Sequence, residues 1–309
     1  MTFKEWIEEW LQHYVKPTVK ERTYSRYKIA VELHIIPALG EEQLTDITSS
    51  MIQHHISNLL VNGNKLNGCG LSANSVNTII CILKSCLDMA NALGYIQGNP
   101  AVNAKRPKRE EKKVSCFTIE EQRKIERAVC EKKGQWIGVL LCLYTGLRIG
   151  ELLALEWDDV DFKSGLLTVN KTCYYGKTES TDYGRITYAP KTKSSIRVIP
   201  LPKVILAKLK EQKKQAKTCF VIERKGKPVA TRIYQKSFER LINKLGIPYR
   251  SFHSLRHTFA TRALECGMDV RTLSEILGHK NPTVTLNRYA HSLMEHKTAM
   301  MNKLGKLLQ

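Results

Sequence analysis

Apolar residues recur at helical spacing through the first third of the chain. The first such stretch places Phe, Trp, Ile, Leu and Tyr side chains at positions 3, 6, 7, 10, 11 and 14, and Pro17 follows where a helix should stop. Further helices are predicted over 21–35, 48–61 and 72–93, the last capped by Ser72 and closed by Gly94. We therefore predict a small all-helical bundle. The aromatic side chains form either its core or a stacking platform, and their spacing favours the core.

The remainder of the chain mixes helical and strand patterns. Thr118 and Glu121 have the spacing of a capping box before an amphipathic helix at 118–132, and a helix at about 135–145 ends at Gly146. β-branched content or alternation predicts strands at 166–169, 186–190 and 196–201. Helices are predicted again from about residue 202, at 231–245, 253–266, 270–277 and 282–289. Strands set between runs of helices indicate a mainly helical α+β domain with a small antiparallel sheet.

The 309 residues are enough for two domains. Proline and charge without apolar periodicity interrupt the chain at KRPKREEKK, residues 105–113. We therefore expect a helical domain at 1–105, a linker at 106–113 and an α+β domain at 114–309.

Charge is distributed unequally between the two parts. The chain has 49 Lys and Arg against 29 Asp and Glu, a net charge of +20; residues 1–113 contribute +3 and residues 114–309 contribute +17. Such an excess favours a polyanionic partner, nucleic acid first, although a basic face can also be merely solvated. No apolar run approaches the roughly 20 residues of a membrane span. Nine scattered cysteines without a CxxC pair suit reduced thiols and argue against a disulfide framework or a zinc site, so we expect a cytoplasmic protein without a membrane partner.

Four short segments carry candidate chemistry, and each also has a plain structural interpretation. They are 145–152 with Arg148, 191–200 with Lys191 and Lys193, 253–257 with His253 and Arg256, and 277–289 with His279 and Tyr289. Arg148 lies between two glycines, which suits a rigid turn, but it could equally be an exposed residue between packed helices. The lysines belong to a basic hairpin turn.

The third and fourth segments are helical by pattern. His253 and Arg256 are three residues apart and should share a helix face, where the histidine is either functional or a satisfied core residue. His279 follows a helix-ending glycine, and Asn281 with Pro282 should start the helix that carries Tyr289, a tyrosine that taken alone would be packing.

Taken together, the segments supply two arginines, two histidines, a lysine and a tyrosine, without an acidic metal cluster or a glycine-rich phosphate loop. Arginines offer forked donors to phosphodiester oxygens, histidines add donors or a base, and tyrosine is a nucleophile that can hold a phosphoryl group. The combination suits cleavage of a nucleic acid strand.

Four stretches of the sequence resemble the signature boxes of tyrosine recombinases, the phage-integrase and Xer-type family. They are GLRIGELLALEWDDVDF, PKTKSSIRVIPL, HSLRHTFATRALECG and LGHKNPTVTLNRYAH. The match covers nearly all of 114–309, and residues 1–105 more weakly resemble the family's core-binding domain. The long hairpin at 166–200 is similar to integrases of conjugative transposons and prophages of low-GC bacteria. The additional arm-binding domain of many integrases does not precede the helical domain, so we expect either a branch without arm sites or a shortened form.

The resemblance implies a site-specific recombinase that acts through a 3′-phosphotyrosyl intermediate and a Holliday junction to integrate or excise a mobile element. Tyr289 would be the nucleophile; Arg148, Arg256 and His279 would bind the scissile phosphate. Lys191 would be the general acid, with Lys193 as the alternative, and His253 would assist proton transfer or orient the phosphate.

Glu151 resembles the family's acidic position that orients neighbouring catalytic groups, with a surface role as the alternative. The resemblance implies no cofactor and no metal.

The partners implied are double-stranded DNA, a homotetramer on two DNA sites, and accessory DNA-bending or excision factors, all in a bacterial cytoplasm at the nucleoid. The apolar tail at 290–309 would dock on a neighbouring protomer or on its own domain. Two alternatives stay open: a type IB topoisomerase that relaxes DNA, and a DNA-binding protein that has lost catalysis.

Overall fold

The computed structural model describes residues 1–108, 115–130, 134–177, 183–188, 196–279, 281–283, 301–302 and 304–305. The chain divides into two compact units, Met1–Lys112 and Lys113–Gln309. Among the described residues, no helix combines the length and apolar character needed to cross a membrane.

The first unit is all-helical, as predicted. Its helices are α1 (Phe3–Trp10), α2 (Glu21–Ala30), α3 (Ile36–Leu39), α4 (Ser49–Asn62) and α5 (Ala73–Ala92). The π-helical turns Leu11–Val15 and Val31–Ile35 extend α1 and α2, so the predicted stretches 3–14 and 21–35 are both helical throughout. Ser72 caps α5 by accepting a hydrogen bond from the Ser75 backbone amide, as expected from the sequence.

Aromatic side chains of α1 form the core of this unit. Phe3, Trp6 and Trp10 are buried, and the indole of Trp6 donates a hydrogen bond to the Cys86 carbonyl of α5 at 3.3 Å. Tyr14 packs against the same core. The stacking-platform alternative is therefore wrong for the three buried rings.

The stability of this unit depends on the protonation state of His55 on α4. The residue is only 7% exposed, and its Nε2 atom is buried without a hydrogen-bond partner. Burial, followed by the nearby His34, lowers the pKa of His55 to about 4. The folded state therefore favours neutral His55, whereas the unfolded chain takes up a proton at its ordinary pKa near 6.5. This contribution to stability is complete above about pH 6.5 and is lost as the pH falls towards 4.

We predict that the His55→Leu variant loses less stability than the wild type between pH 7 and pH 5, by about 1–2 kcal/mol. Urea denaturation at both pH values measures the difference. His54→Leu, at the exposed neighbouring histidine, is the matched control and should lose as much as the wild type. An equal loss in the His55 and His54 variants would contradict the prediction.

The second unit is mixed, and together the two units confirm the predicted fold class. Its helices are α6 (Ile119–Cys130), α7 (Ile137–Thr145), α8 (Ile149–Ala154), α9 (Lys203–Lys213), α10 (Thr231–Lys244), α11 (Ser254–Glu265) and α12 (Val270–Leu277). Its strands are β1 (Val160–Asp161), β2 (Leu166–Val169), β3 (Thr172–Lys177), β4 (Tyr183–Tyr188), β5 (Arg197–Pro200), β6 (Glu223–Arg224) and β7 (Lys227–Pro228).

All strand pairs are antiparallel. β1, β2 and β5 form a three-stranded sheet in which Leu167 lies opposite Ile199, while β3 pairs with β4 and β6 pairs with β7. The strand expected at 186–190 begins earlier, at Tyr183, because it pairs along its length with β3. The sequence did not predict β3, since its run TCYYGK lacks an alternation of apolar and polar residues.

Helix α7 is the centre of this unit. It is apolar on all sides and buried along almost its whole length, which places it inside a core built from the sheet and the surrounding helices. The capping box predicted for α6 is present, with Thr118 and Glu121 exchanging hydrogen bonds. Helix α7 ends at Gly146, so its carboxyl end leads directly into the first candidate segment.

Candidate active site

Gly146 ends α7 and brings Arg148 to the start of the next helix. Gly146 adopts a left-handed conformation with φ 65°, and a Cβ there would lie 2.5 Å from Phe259 and 2.7 Å from Leu277. Only glycine allows both this conformation and this close approach of α11 and α12. Arg148 is the N-cap residue of α8, so its side chain emerges from a turn, the first of the two interpretations that the sequence left open.

Glu151 binds Arg148 through both carboxylate oxygens. One oxygen accepts a hydrogen bond from the Arg148 backbone amide at 3.0 Å, and the other accepts from Arg148 Nη1 at 2.7 Å. The Glu151 side chain is 6% exposed and that of Arg148 is 36% exposed. The surface role considered for Glu151 is therefore wrong: Glu151 is buried because α8 packs its first turn against the core.

Burial raises the pKa of Glu151, but its hydrogen bonds and ion pairs with Arg197 and Arg148 outweigh that effect and lower the pKa overall. Glu151 is thus a buried, ionised carboxylate at neutral pH. Such a group orients the arginines around it by fixed charge-assisted hydrogen bonds.

Arg256, on α11, connects two turns. Its Nη1 donates to the Gly146 carbonyl at 2.7 Å, and its Nη2 donates to the Leu277 carbonyl at 2.8 Å and lies 2.9 Å from Nε2 of His279. The residue is 2% exposed. Its guanidinium is thus held rigidly beside the imidazole of His279.

His279 follows α12 as expected from its helix-ending glycine. Gly278 is left-handed with φ 65°, and the backbone amide of His279 closes the turn on the Ser274 carbonyl at 3.0 Å. The Gly278 carbonyl accepts a hydrogen bond from Arg148 Nη2 at 3.1 Å. Beyond this turn, Asn281 Oδ1 accepts from the Thr283 amide at 2.9 Å, so the predicted cap is present.

His253 lies at the rim of this arrangement. It is the N-cap residue of α11, one turn before Arg256, and its exposed imidazole packs edge to face against His257 with ring centroids 4.6 Å apart. The alternative of a buried core histidine is therefore wrong, because His253 precedes the buried part of the helix.

The remaining candidates, Lys191, Lys193 and Tyr289, lie outside the described residues. The structure thus brings together Arg148, Glu151, Arg256 and His279, and it places His253 on the same helix as Arg256.

Sequence reasoning missed Arg197, the first residue of β5. Its Nη1 and Nη2 donate to the two Glu151 oxygens at 3.2 and 2.8 Å, and its Nε donates to the Ile276 carbonyl at 2.5 Å. Strand alternation places residues 197, 199 and 201 on one face, and in the structure Ile199 and Leu201 are buried whereas Ile196 and Val198 are exposed. The sequence did not show which face is buried, because both faces carry apolar residues. Within the described part of the chain, no group of three or more His, Cys, Asp or Glu is placed to hold a metal ion.

Comparisons with known families match both units. Residues 118–296 match the model described as the phage integrase family, and residues 2–60 match the phage integrase N-terminal SAM-like domain. A tyrosine recombinase XerC-like protein of Caldanaerobacter subterraneus subsp. tengcongensis is 30% identical and aligns with 99% of this chain and 83% of its own length. The ICEBs1 integrase of Bacillus subtilis is 26% identical across 94% of this chain and 79% of its own.

Solved structures share the fold of this chain. The Tn1549 transposon integrase in complex with a circular intermediate DNA superposes with a TM-score of 0.82 at 23% identity, covering 98% of this chain and 99% of that one. A lambda integrase tetramer bound to a Holliday junction gives a TM-score of 0.70 at 22% identity, covering 92% and 79%.

We predict that Glu151→Ala lowers the free energy of unfolding by about 3–5 kcal/mol, because it leaves the buried charge of Arg197 unpaired. Urea denaturation at pH 7 measures the loss. Glu275→Ala is the matched control: it breaks an ion pair with Arg271 in which the side chains are 86% and 70% exposed, and should cost less than about 1 kcal/mol. Equal losses in the two variants would contradict the argument.

Proposed function

Because the chain belongs to the phage integrase family, we propose that Tyr289 is its nucleophile and that Arg148, Lys191, His253, Arg256 and His279 act on the scissile phosphate. The enzyme is a tyrosine-type site-specific recombinase, which cleaves and rejoins DNA strands and integrates mobile elements. Neither alternative, DNA relaxation or DNA binding without catalysis, gains support from the relatives.

The network around Arg148 supports this assignment most directly. Arg148 and Arg256 are fixed on either side of the turn at Gly278, and His279 follows that turn. Guanidinium groups held in this way can donate to non-bridging oxygens of a phosphodiester and stabilise the charge that develops in the transition state. The half-exposed side chain of Arg148 is the one that a phosphate from solvent would meet first.

The proposed cleavage step transfers the phosphoryl group to Tyr289. The phenolic oxygen passes its proton to a base, for which His253 is the candidate, and forms a bond to phosphorus. The bond to the 5′-oxygen breaks, and Lys191 supplies the proton that the leaving oxygen needs. Lys193 is the alternative donor, and His253 assists proton transfer. The 3′-phosphotyrosyl link conserves the energy of the broken bond, so a 5′-hydroxyl from the partner strand can reverse the step and produce a Holliday junction.

The enzyme's substrate is double-stranded DNA, and the charge of the second unit suits it. Residues 114–309 carry a net charge of +17, which favours phosphate contacts and makes binding fall steeply with salt. We propose that the protein works at the nucleoid in the bacterial cytoplasm, with accessory DNA-bending or excision factors. Strand-exchange junctions mapped from cells that carry the protein define the site needed for the assays below.

We predict that Tyr289→Phe abolishes covalent attachment to a nicked suicide duplex built on the mapped site. Site binding should stay within about twofold of the wild type, because the change deletes one oxygen and no charge. Gel detection of a protease-sensitive protein–DNA adduct, beside a binding titration, checks both. Adduct formation by the variant would refute the assignment of Tyr289.

We predict that Lys191→Ala lowers the cleavage rate of an ordinary phosphodiester by about 100-fold or more. Replacing the leaving 5′-oxygen with sulfur should restore most of the rate. A thiolate leaves without protonation and needs no general acid. Single-turnover cleavage of both substrates is the measurement, with Lys193→Ala as the matched control. Rescue of Lys193→Ala alone would move the general acid to Lys193.

We also propose that four protomers assemble on two DNA sites, as the lambda integrase does on a Holliday junction. The apolar tail would dock on a neighbouring protomer, although residues 290–300 lie outside the described part of the chain. Deleting residues 293–309 should then spare single-site binding and lower synapsis and recombination by at least about tenfold. Normal recombination by the truncated protein would contradict docking.

A further inference from the structure

Arg197 lies behind the proposed catalytic groups and out of reach of solvent. Its side chain is 6% exposed, whereas that of Arg148 is 36% exposed, although both bind the same carboxylate. All three guanidinium nitrogens of Arg197 already donate, to the Glu151 carboxylate and to the Ile276 carbonyl. Its contribution to the reaction must pass through the groups that it touches.

The first of these groups is Glu151, whose two oxygens are each shared between two arginines. One oxygen accepts from Arg148 Nη1 at 2.7 Å and from Arg197 Nη1 at 3.2 Å. The other accepts from the Arg148 amide at 3.0 Å and from Arg197 Nη2 at 2.8 Å. The three side chains together carry a net charge of +1, whereas Arg148 and Glu151 alone would be neutral. Sharing therefore leaves Arg148 with more positive potential towards a phosphate.

The second group is the turn that precedes His279. Arg197 Nε donates to the Ile276 carbonyl at 2.5 Å, and a Cβ on Gly278 would lie 3.0 Å from Arg197 Nη1. The guanidinium thus packs on the turn whose Gly278 carbonyl accepts from Arg148. Arg197 lies on β5, a separate element from α8 and α12, and it fixes that turn from its buried side.

We propose that Arg197 is a positioning residue for strand cleavage. It donates to the same Glu151 carboxylate as Arg148 and fixes the turn before His279, without touching DNA. The proposal rests on the proposed roles of Arg148 and His279. It assigns to the box KTKSSIRVIPL a buried function in addition to the lysines of its turn.

The decisive variant is Arg197→Met, which keeps a long apolar stem and removes the charge. Single-site DNA binding should stay within about threefold of the wild type, while single-turnover cleavage of the suicide duplex falls by roughly 10- to 100-fold. The loss should grow as the pH falls from about 7 to 5, because Glu151 then keeps only one of its two cationic partners and takes up a proton more readily. The described groups that face Glu151 are Arg148, Arg197 and the thiol of Cys142 on α7, and burial keeps that thiol protonated.

Two further variants separate positioning from mere stabilisation. Arg197→Lys retains a charge beside Glu151 but lacks the forked guanidinium donors. It should therefore recover part of the cleavage rate and remove the additional loss of rate at low pH. Combining Arg197→Met with Glu151→Gln should lower the cleavage rate little more than Arg197→Met alone, because the two residues act as one unit. The combination should also remove the additional loss of rate at low pH. Arg197→Lys carries the test if Arg197→Met does not fold.

Arg250→Met is the matched control, since Arg250 forms a largely buried ion pair with Glu121 elsewhere in the same unit. It should lower stability and leave the cleavage rate and its pH profile unchanged. Wild-type cleavage and pH profile in Arg197→Met would overturn the proposal, as would a rate loss that adds fully to that of Glu151→Gln. Adduct formation by the wild type and its absence in Tyr289→Phe, run in parallel, judge the proposed function separately.

Discussion

A carboxylate removed from water costs several kcal/mol unless charges and hydrogen bonds replace its hydration, and Glu151 meets that cost with two arginines. Four donors reach its two oxygens, from the start of α8 and from β5. Neither arginine alone supplies all four. The buried ion cluster therefore forms only when α8, the sheet and the turn after α12 are all in place, which couples the geometry of the site to the folding of the whole second unit.

Two glycine turns make this convergence sterically feasible. Gly146 and Gly278 are both left-handed, and each turn supplies carbonyls to an arginine from elsewhere: Arg256 binds the carbonyl of Gly146, and Arg148 binds that of Gly278. The turns are thus joined crosswise by the two guanidinium groups that we propose act on the phosphate. Side chains at either glycine would strain the backbone, and they would press on Phe259 in one case and Arg197 in the other.

Local signals in the sequence predicted most of the elements and several site residues. Glycines ended α7 and α12 where predicted, and Asn281 caps the next turn, because capping depends on a few neighbouring residues. Arg197 was missed since its burial depends on Glu151, 46 positions away, and the flanking Ile196 and Val198 made the opposite strand face look apolar. His253 was placed correctly on the helix that carries Arg256, but its exposure depends on where that helix emerges from the core. The catalytic roles of all the candidate residues stay predictions, and Lys191, Lys193 and Tyr289 also lie outside the described residues.

Arg148 and Arg256 differ in how accessible their guanidinium groups are to a substrate. Arg256 is buried, and its guanidinium already contacts two carbonyls and the imidazole of His279. Arg148 donates from one Nη to Glu151 and from the other to the Gly278 carbonyl, yet part of its side chain remains exposed to solvent. Under the proposed roles, a phosphate arriving from solvent first meets Arg148 and the half-buried His279, and Arg256, held beside that imidazole, donates to the same phosphate. Because these groups are fixed by the fold itself, the entropy of ordering them is paid before DNA binds. Under the proposed roles, control of cleavage then falls to the proton donor and the nucleophile, which lie on separate segments of the sequence.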